Sequence, residues 1–262
     1  MGLGPAMSAV RVHAIDSGRR DGPVVVLSNS LGSTHRMWDA QVGHLEERFR
    51  VLRYDTRGHG ASPVPAGPYS IEALTDDLLA LLDRFGIDRA HIVGLSLGGM
   101  TALSLAARNP DRVDRLVVLC TAVRLPPATA WTQRAATVRA QGMAAVAPSV
   151  VARWFTREHL HTHPEVLVAH ERMVAATPAE GYAACCEAMA ALDLRAALPG
   201  VGAPTLAIAG AADPATPPAK LEEIVAGIGD SSLLVVDHAA HLANAERPDV
   251  VTPAIIGHLR HP

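Results

Sequence analysis

The chain has 262 residues, 49% of them hydrophobic and 19% charged, with a formal net charge of −3. That is enough apolar material for a sizeable buried core, and it excludes a disordered chain. With no Lys/Arg run and no long apolar stretch, neither a nucleic-acid footprint nor a membrane span is expected, and residues 1–7 lack the apolar run of a signal peptide. The cysteines, Cys120, Cys185 and Cys186, cannot make a disulfide framework, a usage that suits a reducing cytoplasm. Residues 10–15 alternate like an edge strand. After the Asp21-Gly22-Pro23 turn, residues 24–27 form a continuous β-branched and apolar run, the pattern of a strand buried on both faces. Residues 37–49 are helical in pattern, and residues 51–54 form the next strand, followed by Asp55, Arg57 and His59 in a loop that reads as a structural clamp. A loop with Pro63, Pro65, Gly67 and Pro68 leads to an amphipathic helix over 70–85, with Leu74, Leu78, Leu81 and Leu82 on one stripe.

Residues 90–93 then run as a strand into Gly94-Leu95-Ser96-Leu97-Gly98, and a helical run over 100–107 follows at once. This is G-x-S-x-G in a strand-turn-helix context, which presents one serine hydroxyl on a sharp turn at a helix N-terminus. Residues 116–120 are another buried strand. From about 122 to 199 the text is Ala-rich and helical, without a credible strand. Alternation resumes with strands over 204–209 and 233–236 and a closing helix over 250–259. The pattern describes an α/β protein with a mostly parallel sheet, its core at 1–122 and 200–262 and a helical lid at 123–199.

A serine attacks a carbonyl only if a base removes its proton, and a histidine base needs an acid to fix its tautomer. In this architecture such groups gather beyond the carboxyl ends of the strands, in the order serine, acid, histidine. Asp213 follows the strand at 204–209 and meets the demand for an acid. Two histidines follow the last strand. His238 stands where the chain has hardly begun to turn, whereas His241 lies further into the loop and can reach back, so His241 is favoured. The oxyanion of a tetrahedral intermediate needs two N–H donors, assigned to Leu97 and to Leu31 in the loop 28–33. The run Glu158-His159-Leu160-His161-Thr162-His163 lacks the H-E-x-x-H order of a metal helix and reads as solvated lid polar residues. No metal or organic cofactor is expected.

With these residues in place the chain resembles the α/β-hydrolase superfamily and, within it, the bacterial 3-oxoadipate enol-lactonases. The likeness runs from about residue 10 to residue 259. It is carried by residues 27–33, 53–60 and 94–100, and in the lid by 153–156 and 180–187. Asn29-Ser30 stands where many superfamily members have His-Gly in the oxyanion loop, and this departure looks like the lactonases. The resemblance implies a lid inserted after the sixth strand. It also implies hydrolysis of 3-oxoadipate enol-lactone, a small anionic lactone, to 3-oxoadipate in bacterial protocatechuate and catechol degradation. Some relatives fuse this domain to a carboxymuconolactone decarboxylase, an activity not expected here. Such a substrate carries a free carboxylate, which calls for a cation. Trp131 and Arg134, three apart on one helical face, offer one, with Trp131 and Trp154 as pocket walls. A carboxylesterase or carbon–carbon bond hydrolase on the same triad is the alternative, and a non-catalytic receptor on the same fold is another. A haloalkane dehalogenase is disfavoured because Ser96, not an aspartate, holds the elbow.

Overall fold

The central strands are apolar on both faces, so they need helices on both faces, and the chain supplies them. A computed structural model describes residues 8–260; the stretch 1–7, read above for a signal peptide, lies outside them. The sheet has seven strands among the described residues: β1 (Ala14–Gly18), β2 (Val24–Ser28), β3 (Arg50–Tyr54), β4 (Ala90–Leu95), β5 (Val113–Leu119), β6 (Thr205–Gly210) and β7 (Ser231–Val236). They lie in the order β1-β3-β2-β4-β5-β6-β7, with β1 antiparallel to β3 and every other pair parallel. Every residue of β4 and of β6 is buried. The helices are α1 (Asp39–Glu46), α2 (Ile71–Arg84), α3 (Leu97–Arg108), α4 (Ala128–Gln141), α5 (Ala147–Trp154), α6 (Arg157–Thr162), α7 (Pro164–Ala175), α8 (Ala179–Ala190), α9 (Pro218–Gly227), α10 (Ala243–Glu246) and α11 (Pro248–Arg260). They pack in separate groups, α1 with α10 and α11, and α2 with α3. No described helix is long and apolar enough to cross a membrane.

The helix α2 shows how locally this fold is specified. Ser70 caps it by accepting the Ala73 N–H at 3.1 Å, and Leu74, Leu78, Leu81 and Leu82 are all buried along one stripe. Two expectations need correction. The edge strand occupies Ala14–Gly18 rather than 10–15, because the preceding polar groups bond to side chains instead of a ladder: the Val10 N–H to Asp77, the His13 N–H to Ser62, and the Val12 carbonyl to Arg84. The helices α4–α8 follow the fifth strand of this sheet, not a sixth, since only β1–β5 precede them among the described residues.

The site depends on a close crossing of backbones. A Cβ on Gly94 would overlap the Gly98 carbonyl, and one on Gly98 would overlap the Ser28 carbonyl at the end of β2. The Gly98 N–H donates to the Asn29 carbonyl at 2.9 Å, which ties the first turn of α3 to the loop after β2. Gly98→Ala should therefore destabilise the fold by about 1–3 kcal/mol, the usual range for overpacking. Urea denaturation checks this, and an unchanged midpoint would contradict the crossing.

Candidate active site

Ser96 sits between β4 and α3 with φ 55° and ψ −115°, a left-handed conformation rare outside glycine. Its neighbours hold it there. The Ser96 N–H donates to the Leu119 carbonyl at 2.9 Å, while its carbonyl accepts from the Met100 N–H at 3.0 Å and the Thr121 hydroxyl at 2.7 Å. With the backbone fixed, the side chain lines a cavity of about 400 Å³ shared with Leu31, Trp131, Arg134, Trp154 and His241. The structure thus brings most of the sequence-predicted residues to one space, with Asp213 bonded to His241 and with neither Asp213 nor Leu97 among the lining residues.

Asp213 lies in the loop after β6, and His241 in the loop after β7. His241 Nδ1 is 2.7 Å from Asp213 Oδ2. Asp213 is further held by the Ala215 N–H at 2.8 Å and the Thr216 N–H at 3.1 Å on Oδ1, and by the Thr216 hydroxyl at 2.6 Å on Oδ2. A carboxylate accepts, so Nδ1 carries the proton and Nε2 is left as the basic nitrogen. Ser96 and His241 share the cavity without a hydrogen bond between them, as is common before substrate arrives. His238, with φ 56°, instead lines a separate surface groove with Thr156, His159 and Glu246.

Backbone donors can be found by elimination. In the loop after β2, the Ser30 N–H is directed at Met37 Sδ, the Gly32 N–H at His59 Nε2 (2.9 Å) and the Ser33 N–H at the Ser30 carbonyl. The Leu31 N–H has no acceptor among the described residues. At the start of α3 the Ser96 and Gly98 amides are used as described, and the Leu97 N–H is left over. The Leu31 and Leu97 amides are thus both left without an acceptor among the described residues, on segments joined by the Gly98–Asn29 bond. The sequence places His59 in a loop clamp next to the pocket. It is fully buried and neutral-favouring because burial opposes its charge; its Nδ1–H donates to the Arg57 carbonyl, leaving Nε2 to accept from Gly32. Asn29, in place of histidine, clamps the loop by donating to the Tyr54 carbonyl and accepting from the Trp38 indole.

The helices α4, α5 and α8 contribute Trp131, Arg134, Arg153, Trp154, Tyr182 and Met189 to the cavity. Arg134 stacks on Trp131 with its guanidinium carbon 5.1 Å from the ring centre. Arg153 and Tyr182 were not foreseen as lining residues. His159 and His163, in the metal-like run, stack on each other with centroids 4.6 Å apart. Among the described residues, His13, His35 and Asp55 could converge on a metal. None of the three lines the cavity, and Asp55 is already engaged by His35 and by the Ala61 N–H, which makes it a loop brace.

Comparison with known proteins places this geometry in context. The profile described as "alpha/beta hydrolase fold" matches residues 23–248. The chain is 40% identical over 238 residues to 3-oxoadipate enol-lactonase 2 of Acinetobacter baylyi, covering 91% of this chain and 89% of that protein. A protein named for carbamate hydrolysis, RutD of Stutzerimonas stutzeri, is 29% identical, covering 91% of this chain and 92% of its own length. The crystal structure of the enol-lactonase from Burkholderia xenovorans LB400 superposes with a TM-score of 0.93 at 43% identity, covering 95% of this chain and 96% of that one.

Burial acts to raise the Asp213 carboxyl, but His241 and Thr216 outweigh it and hold the group below the ordinary carboxylate range. The unfolded chain, with an ordinary value of about 3.9, takes up the proton first as pH falls. The stabilisation is therefore complete above that value and is lost as pH drops through the lower folded-state value. Asp213→Asn should flatten the melting-temperature profile below about pH 4. An acid limb superimposable on the wild type would contradict this.

Proposed function

Because the chain belongs to the alpha/beta hydrolase fold family, we propose that it is a serine hydrolase that opens a small anionic enol-lactone, 3-oxoadipate enol-lactone, to 3-oxoadipate. The observation that supports the chemistry is one cavity shared by Ser96, Leu31 and an Asp213-paired His241, with the backbone amides of Leu31 and of Leu97, the residue after Ser96, left unengaged. Ser96 Oγ attacks the lactone carbonyl while His241 Nε2 takes its proton. The Leu31 and Leu97 N–H groups receive the oxyanion, where each such donor contributes about 3 kcal/mol to the transition state. Collapse breaks the acyl–oxygen bond of the ring and leaves the acyl group on Ser96. The expelled enol oxygen takes the proton back from His241 and the enol relaxes to a ketone. Water then attacks the acyl group with His241 as base, which releases the acid and restores Ser96.

The substrate reading is supported by the similarity to enol-lactonases over nearly the whole chain and by the cationic lid. Arg134, set by its stack on Trp131, is the proposed partner of the substrate carboxylate, and Trp131 and Trp154 are the proposed walls. The same apparatus would serve a carbamate, and the likeness to RutD makes this the second reading. A cavity with arginines and no lining carboxylate favours the anionic lactone.

A direct assay tests the proposal. Purified protein should consume the enol-lactone, and Ser96→Ala should lower kcat by about 10⁴-fold or more with the fold intact. A wild-type protein that hydrolyses neutral esters or carbamates but not the lactone would overturn the substrate assignment.

A further inference from the structure

The lid carries its arginines in two different ways. Arg139 on α4 is bonded to both Glu180 and Glu187 on α8 and has its charge answered at the surface. Arg134 and Arg153 line the cavity, and neither pairs with a carboxylate among the described residues. Both are half-buried, and no acidic side chain lines the cavity with them. Burial and the neighbouring Arg134 charge both act against the Arg153 cation, which is held there regardless. Two like charges held near each other at a half-buried site without a counter-ion are unfavourable, and a bound anion offsets this.

Arg153 is also tied to the His241 loop through its neighbours at the end of α5. The next residue, Trp154, accepts the Leu242 N–H at 2.8 Å through its carbonyl, and Leu242 follows His241 directly. Two residues further on, the Thr156 N–H donates to Glu246 Oε1 at 2.9 Å, while Glu246 Oε2 accepts the Ala240 N–H at 2.8 Å. The end of α5 is thus bonded on both sides of the histidine. Arg134 leans on Trp131 within its own helix and lies against the Tyr182 hydroxyl of α8, with no such bond to the His241 loop among the described residues.

We propose that Arg153 is the specificity-determining anion site of this cavity, holding a carboxylate of the substrate at a distance from Ser96 and His241 fixed by the α5–His241 loop bonds, with Arg134 as the second cation. The assignment rests on the reading of the cavity as an acyl-transfer site and extends it from a lid arginine to a rigid anion clamp. Substrates whose carboxylate lies at the wrong distance from the acyl carbon bind without being placed for attack.

The test compares the carboxymethyl enol-lactone with its neutral methyl analogue on wild type, Arg153→Met and Arg153→Lys, each with its melting temperature. Arg153→Met should lower the ratio of kcat/KM for the charged over the neutral lactone by tenfold or more, chiefly through KM for the charged one. Arg153→Lys should recover part of that ratio. A ratio within twofold of wild type in a folded Arg153→Met protein overturns the proposal. If wild type hydrolyses neither lactone, the proposed function fails by itself, and calorimetry with adipate on Ser96→Ala protein decides the anion site. Binding that is lost in Ser96→Ala/Arg153→Met supports it, and binding that is absent, or unchanged by that substitution, overturns it.

Discussion

The contact between the first turn of α3 and the end of β2 sets the position of everything else in the site. It is possible only because Gly98 has no side chain to meet the Ser28 carbonyl. The helix can then lie close enough for its Gly98 amide to bond to Asn29, which leaves the Leu97 amide beside the loop that offers Leu31. The same crossing forces the chain through a left-handed residue at Ser96. Such a conformation costs on the order of 1–3 kcal/mol and persists only when its surroundings over-determine it. Here three hydrogen bonds to Leu119, Met100 and Thr121 do so.

Two further sets of bonds join the segment carrying α4–α8 to this centre. On one side, Gly32 donates its N–H to His59 and accepts the Thr177 hydroxyl through its carbonyl, while its α-carbon faces the Tyr182 ring. The loop after β2 is thereby held between the core and the chain entering α8. On the other side, Glu246 and the Trp154 carbonyl hold the end of α5 against the His241 loop. The cavity walls and the reacting groups are therefore parts of one bonded framework. Walls mounted in this way would select substrates by where their charge lies, as proposed for Arg153.

Much of this was legible in the sequence, for reasons that differ by residue. The sharp turn at Ser96 was legible because it selects glycines at fixed offsets, and the Asp213–His241 pair because both follow strand ends on one side of the sheet. The parallel sheet was visible in runs such as residues 24–27, whose apolar character on both faces has no other use. The start of β1 was not, since the polar groups of residues 10–13 are satisfied by Asp77, Ser62 and Arg84, all distant in sequence. Arg153 escaped for a similar reason. It stands in α5 among Ala152 and Trp154 as any helical arginine would, and only tertiary packing turns it toward a cavity. The role of His59 depends on a partner amide 27 residues away, and no local pattern announces such a pair.

The central claim is that one serine out of the chain is the nucleophile, activated by His241 in a cavity that admits a small anion. Labelling by a fluorophosphonate, with the modified peptide mapped by mass spectrometry, tests it most directly. The account predicts one equivalent of label on Ser96, loss of hydrolytic activity in step with labelling, and protection by the enol-lactone. Label on another residue, or full activity retained after Ser96 is modified, would contradict it.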